Sequence, residues 1–156
     1  MIIISIIVIG VCIAPFIFLN RNTKKQKLKI LNQLTEYALK DNCKIDQHDY
    51  NLNFIIGLDK SQKVLFFINH HKDHLLNKTI SLSEIASCQV NKKTRPVIIG
   101  KSQSIIIEKL SLNFEYKDKN KTADVIDLYN QNINLQLTGE LEIAEKWQKI
   151  IKENLY

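Results

Sequence analysis

The chain has 156 residues and a mass of 18.1 kDa, which is enough for one domain with an appended segment. With 45% hydrophobic and 24% charged residues, and only six Gly and Pro together, it is neither collagen-like nor low-complexity nor disordered. The net charge is +6, but residues 20–29 contribute five positive charges and no negative one, which leaves +1 for the rest. Because the rest of the chain is nearly neutral, the composition does not indicate a nucleic-acid-binding domain.

Residues 2–19 are eighteen positions without a charge. As a helix they would reach about 27 Å, close to the thickness of the hydrocarbon core, and Pro15 is tolerable in a transmembrane helix. A cleaved signal peptide is the rival interpretation, but Met1 is followed directly by isoleucines and the residues before position 20 are large. The sequence therefore predicts an uncleaved anchor over residues 1–19.

Five basic residues follow the uncharged stretch within ten positions: Arg21, Lys24, Lys25, Lys27 and Lys29. Positive flanks stay on the cytoplasmic side, which predicts a single-pass protein of the cell inner membrane with its N-terminus outside and the following residues in the cytoplasm. These side chains can also attract anionic lipid headgroups, at about 1 kcal/mol each near the surface. The alternative is an anchored domain on the outer side of the membrane.

The period of the hydrophobic residues changes along the remaining chain. Residues 23–42 follow a period of 3.6, which predicts an amphipathic helix, and we expect it to pack on the domain and not on the bilayer surface. After residue 45 the period is two, which predicts antiparallel strands. The expected strands are 50–58, 63–69, 79–82, 85–91, 104–116, 123–129 and 133–137, with turns at 59–62, 92–96 and 117–121. The strand at 63–69 is apolar on both faces, so we expect both to be covered.

The last element is an amphipathic helix that begins after Gly139. Its apolar residues fall on one half of the helical wheel: Leu141, Ile143, Ala144, Trp147, Ile150, Ile151 and Leu155. Its glutamates come early and its lysines late, which suits the helix dipole. The sequence thus predicts an α+β fold, in which a curved antiparallel sheet or partly open barrel of six or seven strands is closed by this helix. The expected segments are 1–19 (anchor), 20–44 (basic stretch and helix) and 45–156 (β domain with the last helix).

Four segments carry a family resemblance: IGLDKSQKVLFFI (56–68), ISLSEIASCQV (80–90), LSLNF (110–114) and LTGELEIAEKWQKII (137–151). They are similar to a group of uncharacterised membrane-anchored bacterial proteins. Their order and the last helix with its tryptophan also resemble bacterial pleckstrin-homology-like domains, over roughly residues 45–155. The resemblance implies a bent seven-stranded sheet plugged at one end by the last helix, with Trp147 in the structural core. It implies no catalytic residues.

Three of the four histidines lie close together, at His70, His71 and His74. The spacing of His70 and His74 would suit a metal ion on a helix, but this segment links two strands and lacks the glutamate of an HExxH motif. We expect a solvated loop, and a small metal-dependent enzyme built on these histidines is the alternative. The three cysteines form no CxxC pair and indicate neither a disulfide framework nor a zinc site.

Two further segments resemble ligand-binding loops only in part. Residues 100–102 read Gly-Lys-Ser, but the first glycine of a phosphate-binding loop is replaced by Arg95. Residues 118–129 begin like a calcium loop but have Ala123 where glycine is required. The sequence therefore predicts no cofactor and no enzyme. It predicts a membrane-tethered, non-catalytic binding module that recruits a protein or a lipid headgroup.

Overall fold

The computed structural model describes residues 25–70, 76–100, 102–134 and 136–156. The predicted anchor lies outside these residues, together with Arg21 and Lys24 of the basic stretch. His71 and His74 lie outside them as well. Among the helices that the structure does describe, none is long and apolar enough to cross a membrane.

The described part of the chain has an α+β fold, as the sequence predicts, with two α-helices. Its seven strands divide between two antiparallel sheets, where the sequence predicts a single curved sheet or partly open barrel. Helix α1 covers residues 25–39. The first four strands along the chain form the first sheet, in chain order, and the last three form the second; the described strands form no closed barrel. The elements that follow α1 are β1 (Gln47–Tyr50), β2 (Phe54–Asp59), β3 (Val64–Asn69), β4 (Asn77–Ser81), a 3₁₀ turn (Leu82–Glu84), β5 (Ile85–Ile99), β6 (Ser102–Tyr116), β7 (Asp124–Asn130) and α2 (Glu140–Asn154).

The predicted strand at 50–58 is wrong, because the chain reverses at residues 51–53 and forms two strands. Asn51 causes the reversal: its side-chain oxygen accepts a hydrogen bond from the Asn53 N–H, and its amide donates to the Thr138 carbonyl at 3.1 Å. Asparagine commonly bonds the backbone two residues on in this way. As a result Leu52 points into solvent, with 79% of its surface exposed.

The turn predicted at 92–96 is also wrong, since β5 runs straight through it to Ile99. Pro96 lies opposite Ile105, in a strand that forms the edge of its sheet, where a missing N–H is tolerated. The reversal comes at Gly100, whose φ of 63° suits glycine. The strand predicted at 133–137 is absent from the described residues there, because residues 131–133 form a turn.

Both faces of β3 are covered, as expected. Leu65 and Phe67 belong to the main core, which joins both sheets and α2. Phe66 and Ile68 face the other way and pack with α1, so the prediction that this helix packs on the domain is confirmed. The contact is close, because a Cβ at Gly57 would lie 2.6 Å from the Leu34 Cδ2 atom. A larger residue at position 57 would force the Leu34 side chain to shift, which glycine avoids.

Helix α2 places Trp147 inside the main core, with none of its surface exposed. The indole Nε1 donates a hydrogen bond to Asp49 Oδ2 at 2.9 Å, and the Lys146 Nζ atom lies 2.6 Å from the same oxygen. The tryptophan therefore buries its ring and still satisfies its one polar atom. This hydrogen bond ties α2 to β1.

A buried carboxylate holds the turn between β2 and β3. Asp59 is 1% exposed and accepts hydrogen bonds from the Lys44 N–H (2.7 Å), the Ser61 hydroxyl (2.7 Å) and the Gln62 N–H (2.8 Å). Burial alone would raise the pKa of this carboxyl, but the hydrogen bonds outweigh burial and lower the pKa below its usual value. The ionised form is therefore the one that stabilises the fold.

We expect Asp59→Ala to lower the free energy of unfolding by about 2–3 kcal/mol at pH 7, because three donors lose a charged acceptor. A carboxyl whose pKa is lowered by folding stabilises the fold fully above its unfolded pKa of about 3.9, and less as the pH falls through the folded pKa. The difference in the free energy of unfolding between the parent and Asp59→Ala should therefore become smaller as the pH is lowered. Urea unfolding followed by circular dichroism measures it. Asp41→Ala, at an exposed position, is the control; an equal loss from both changes would contradict this account.

Candidate functional site

Two hydrogen bonds define the direction of helix α2 relative to the turns of the first sheet. Just before the helix, the Thr138 carbonyl accepts from the Asn51 amide in the β1–β2 turn. Just after it, the Tyr156 carbonyl accepts from Lys63 Nζ, in the β2–β3 turn, at 2.7 Å. The start of α2 therefore lies at the β1–β2 turn, and its end lies at the β2–β3 turn.

The second sheet and α1 can be placed along the direction of α2 by their contacts. Gln148 donates to the Cys88 carbonyl at 3.3 Å, and Lys92 Nζ lies 2.8 Å from Glu145, so β5 runs antiparallel to α2. The far end of β5 consequently lies beyond the start of α2. Helix α1 begins at this end too, because Lys27 Nζ lies 4.7 Å from the centre of the Tyr50 ring. We call this the proximal end: the first turn of α1, the turns at 51–53 and 131–133, residues 136–139, and the β5–β6 hairpin.

A cleft of about 310 Å³ opens between the two sheets at the proximal end. Its lining combines asparagines and one carboxylate with apolar side chains. Its residues are Asn53, Phe54, Asn69, Leu76, Asp127, Leu128, Tyr129, Asn130, Ile133 and Asn134. The first four come from the first sheet and its loops, and the others from β7 and the turn after it, so the cleft depends on both sheets.

The polar groups of the cleft are only partly paired. Asp127 Oδ2 lies 2.9 Å from Lys109 Nζ, whereas Asp127 Oδ1 is buried without a hydrogen-bond partner in the described part of the chain. The side chains of Asn53 and Asn134 form no hydrogen bond with any described residue. Asn130 holds the turn, because its side-chain oxygen accepts from the Asn132 N–H at 3.0 Å. The cleft therefore offers acceptors and amide donors to a ligand.

Of the three histidines considered as metal ligands, only His70 lies within the described residues. Its backbone N–H donates to the Asn53 carbonyl at the rim of the cleft. Its Nε2 atom is buried without a partner among the described residues, and burial lowers the pKa of the imidazole, which favours the neutral form. No group of three His, Cys, Asp or Glu residues that could hold a metal ion occurs in the described ranges.

The remaining candidate groups are separated from the cleft. Lys25, Lys27 and Lys29 are exposed on the first turns of α1. Cys43 and Cys88 are buried free thiols; burial raises the pKa of the first and raises the pKa of the second to about 12. Both thiols are therefore protonated at neutral pH and are weak nucleophiles.

Comparison with protein-family models, with curated proteins and with solved structures gives no match to this chain. The cleft was not predicted from the sequence, because it is formed by residues about 50 to 80 positions apart that two different sheets bring together. One local signal was present: the segment NQNIN at 130–134 is rich in asparagine, which favours turns and side-chain hydrogen bonding.

Proposed function

We propose that this chain is a single-pass, membrane-anchored binding module without catalytic activity. Residues 2–19 form the anchor, and the α+β domain lies on the cytoplasmic side. The uncharged length of the anchor and the basic residues directly after it support this topology. Exposed Lys25 and Lys29 at the start of α1 are available to anionic headgroups beside the anchor.

We further propose that the domain is pleckstrin-homology-like. Two features support this: a four-stranded antiparallel sheet is followed in the chain by a three-stranded one, and the C-terminal helix packs into the core that both sheets share. The burial of Trp147 in that core agrees with a helix that plugs one end of a bent sheet.

The observation that carries the binding function is that the polar groups of the cleft are only partly paired within the described part of the chain. Amides such as those of Asn53 and Asn134 donate and accept hydrogen bonds but do not exchange protons at neutral pH, so they suit recognition better than acid–base chemistry. Asp127 Oδ1 adds a buried acceptor that a ligand donor can satisfy. A backbone segment of a protein partner or a polar headgroup would provide such donors.

We expect the double variant Asn53→Ala, Asn134→Ala to weaken ligand binding about tenfold or more, because each lost hydrogen bond costs about 0.5–1.5 kcal/mol. The measurement is quantitative cross-linking of the full chain in its native membranes, followed by mass spectrometry. Asn32→Ala, on the exposed face of α1, is the matched control. A partner captured equally by parent and double variant would show that the cleft is not the binding site.

The metal-dependent enzyme is the alternative. The observation that favours it is the His70 Nε2 atom, which is buried without a hydrogen-bond partner among the described residues. Metal analysis of the purified full chain distinguishes the two proposals. The binding module predicts less than one metal ion per chain after dialysis. Stoichiometric metal that is lost in both His70→Ala and His74→Ala would replace the binding module by the enzyme.

A further inference from the structure

The β5–β6 hairpin extends past the rest of the second sheet. Strand β7 pairs only with residues 109–114 of β6, so residues 102–107 pair with β5 alone among the described strands. Six strand residues correspond to about 20 Å. We call residues 94–100 and 102–107 the hairpin tip.

One face of the hairpin tip is an extension of the face that β5 and β6 bury against the main core. Residues directly opposite in an antiparallel pair share a face, and the pairs Lys92↔Leu110 and Thr94↔Ile107 follow each other there across a bulge. Ile107 still packs against the main core. Beyond it the same face has no cover from the described elements: Ile98 is 82% exposed and Ile105 is 73% exposed.

Exposed apolar side chains concentrate at the proximal end. Among the described residues, ten large hydrophobic side chains are exposed, and seven of them lie here: Leu28, Tyr50, Leu52, Leu76, Ile98, Ile105 and Ile133. Only Leu39, Val125 and Tyr156 lie elsewhere. Single exposed apolar residues are ordinary, but a set gathered at one end of a small domain marks an interaction surface.

The chain itself indicates what this surface meets. Five residues, 20–24, separate the predicted anchor from the first described residue of α1, and five residues span at most about 18 Å. Helix α1 begins at the proximal end. A short tether therefore holds the apolar end of the domain against the bilayer, and the opposite end, with Tyr156, faces away.

We propose that the hairpin tip lies in the interfacial layer of the same bilayer, with Ile98 and Ile105 at the boundary of the acyl chains. This inference rests on the proposed anchor. Exposed apolar side chains at the end of a tethered domain suit such a layer. The basic side chains at the base of the tip are already paired within the domain, Lys92 with Glu145, and Lys93 and Arg95 with Glu108. The headgroup region also supplies hydrogen-bond partners for the unpaired strand edges, which the hydrocarbon core cannot.

A second copy of the chain is a less suitable partner for the edge of β5. Pairing through the edge of β5 would have to accommodate Pro96, which has no N–H to donate, and a run of basic residues, Lys92, Lys93 and Arg95. Both features are typical of strand edges that avoid pairing with other chains.

The test uses the full chain reconstituted in vesicles of phosphatidylethanolamine and phosphatidylglycerol, with a photo-cross-linking amino acid at position 98. The matched control carries it at position 39, where Leu39 is 60% exposed at the opposite end of α1. We expect at least about tenfold more phospholipid adduct at position 98, because a side chain at the acyl boundary is surrounded by lipid. A third chain adds Ile105→Asp to the label at 98 and should give several-fold less adduct.

Four results would overturn the inference. Equal, low adduct at positions 98 and 39 in protein that stays with the vesicles would refute the tip contact and leave the anchor intact. Protein that separates from the vesicles would refute the anchor and the tip contact together. Cross-links from position 98 to residues 2–19 would show that the tip is covered by the chain's own N-terminal segment. Cross-links between two chains would assign the tip to a dimer.

Discussion

Replacing Trp147 by alanine should lower the free energy of unfolding by about 3–5 kcal/mol. The side chain is fully buried, and it joins α2 to both sheets through the main core. Its removal leaves a large cavity and deprives Asp49 of one hydrogen-bond donor. Because small domains have only about 5–15 kcal/mol in total, this change should abolish a large part of the stability or prevent folding.

The measurement is thermal unfolding of residues 23–156 by circular dichroism, which does not depend on the tryptophan signal. Trp147→Phe is the companion variant: it keeps most of the ring volume and should lose less stability than alanine, while Lys146 still pairs with Asp49. Lys149→Ala, on the exposed face of α2, should change the stability by less than about 0.5 kcal/mol. If Trp147→Ala unfolds like the parent, the helix does not close the core.

The second large effect concerns orientation. A reporter that works only in the cytoplasm should be active when it is fused after Tyr156, which is 96% exposed. A reporter that works only after export should be inactive at the same position. The reason is that the basic residues after the proposed anchor are expected to resist translocation. Neutral replacements of Arg21, Lys24, Lys25, Lys27 and Lys29, combined with lysines placed before residue 2, should reverse both activities.

If the anchored domain instead lies on the outer side of the membrane, the unchanged chain should show the opposite reporter activities. Activity of the export-dependent reporter without any change to the basic residues would place the domain outside the cytoplasm. Loss of both activities would point to an unstable fusion, and immunoblotting against the reporter separates that case from a reversal.

The sequence correctly predicted those elements whose hydrophobic pattern is determined by burial alone. The residues of α2 alternate between the core and solvent over fifteen positions, and the structure has that helix at Glu140–Asn154. Strand β3 is apolar on both faces because α1 covers one face and the main core covers the other. In both cases burial alone determines the pattern, so the period reveals the element.

The failures occur where a single polar contact or the edge of a sheet outweighs the pattern. Residues 50–58 alternate well enough for one strand, but the hydrogen bonds of Asn51 reverse the chain, and one bond reaches a residue 87 positions away. Residues 92–96 look like a turn because of their charge and Pro96, yet an edge strand accommodates both. The cleft was missed because its asparagines and Asp127 converge only through the packing of two sheets.

The most direct test of the central proposal, that residues 2–19 tether this domain to a membrane, is extraction of isolated membranes at alkaline pH. The full chain should stay with the membrane pellet, because an uncharged helix of this length remains in the hydrocarbon core without electrostatic help. The chain without residues 1–19 should appear in the supernatant. Release of the full chain by alkali would contradict the anchor and with it the proposed function.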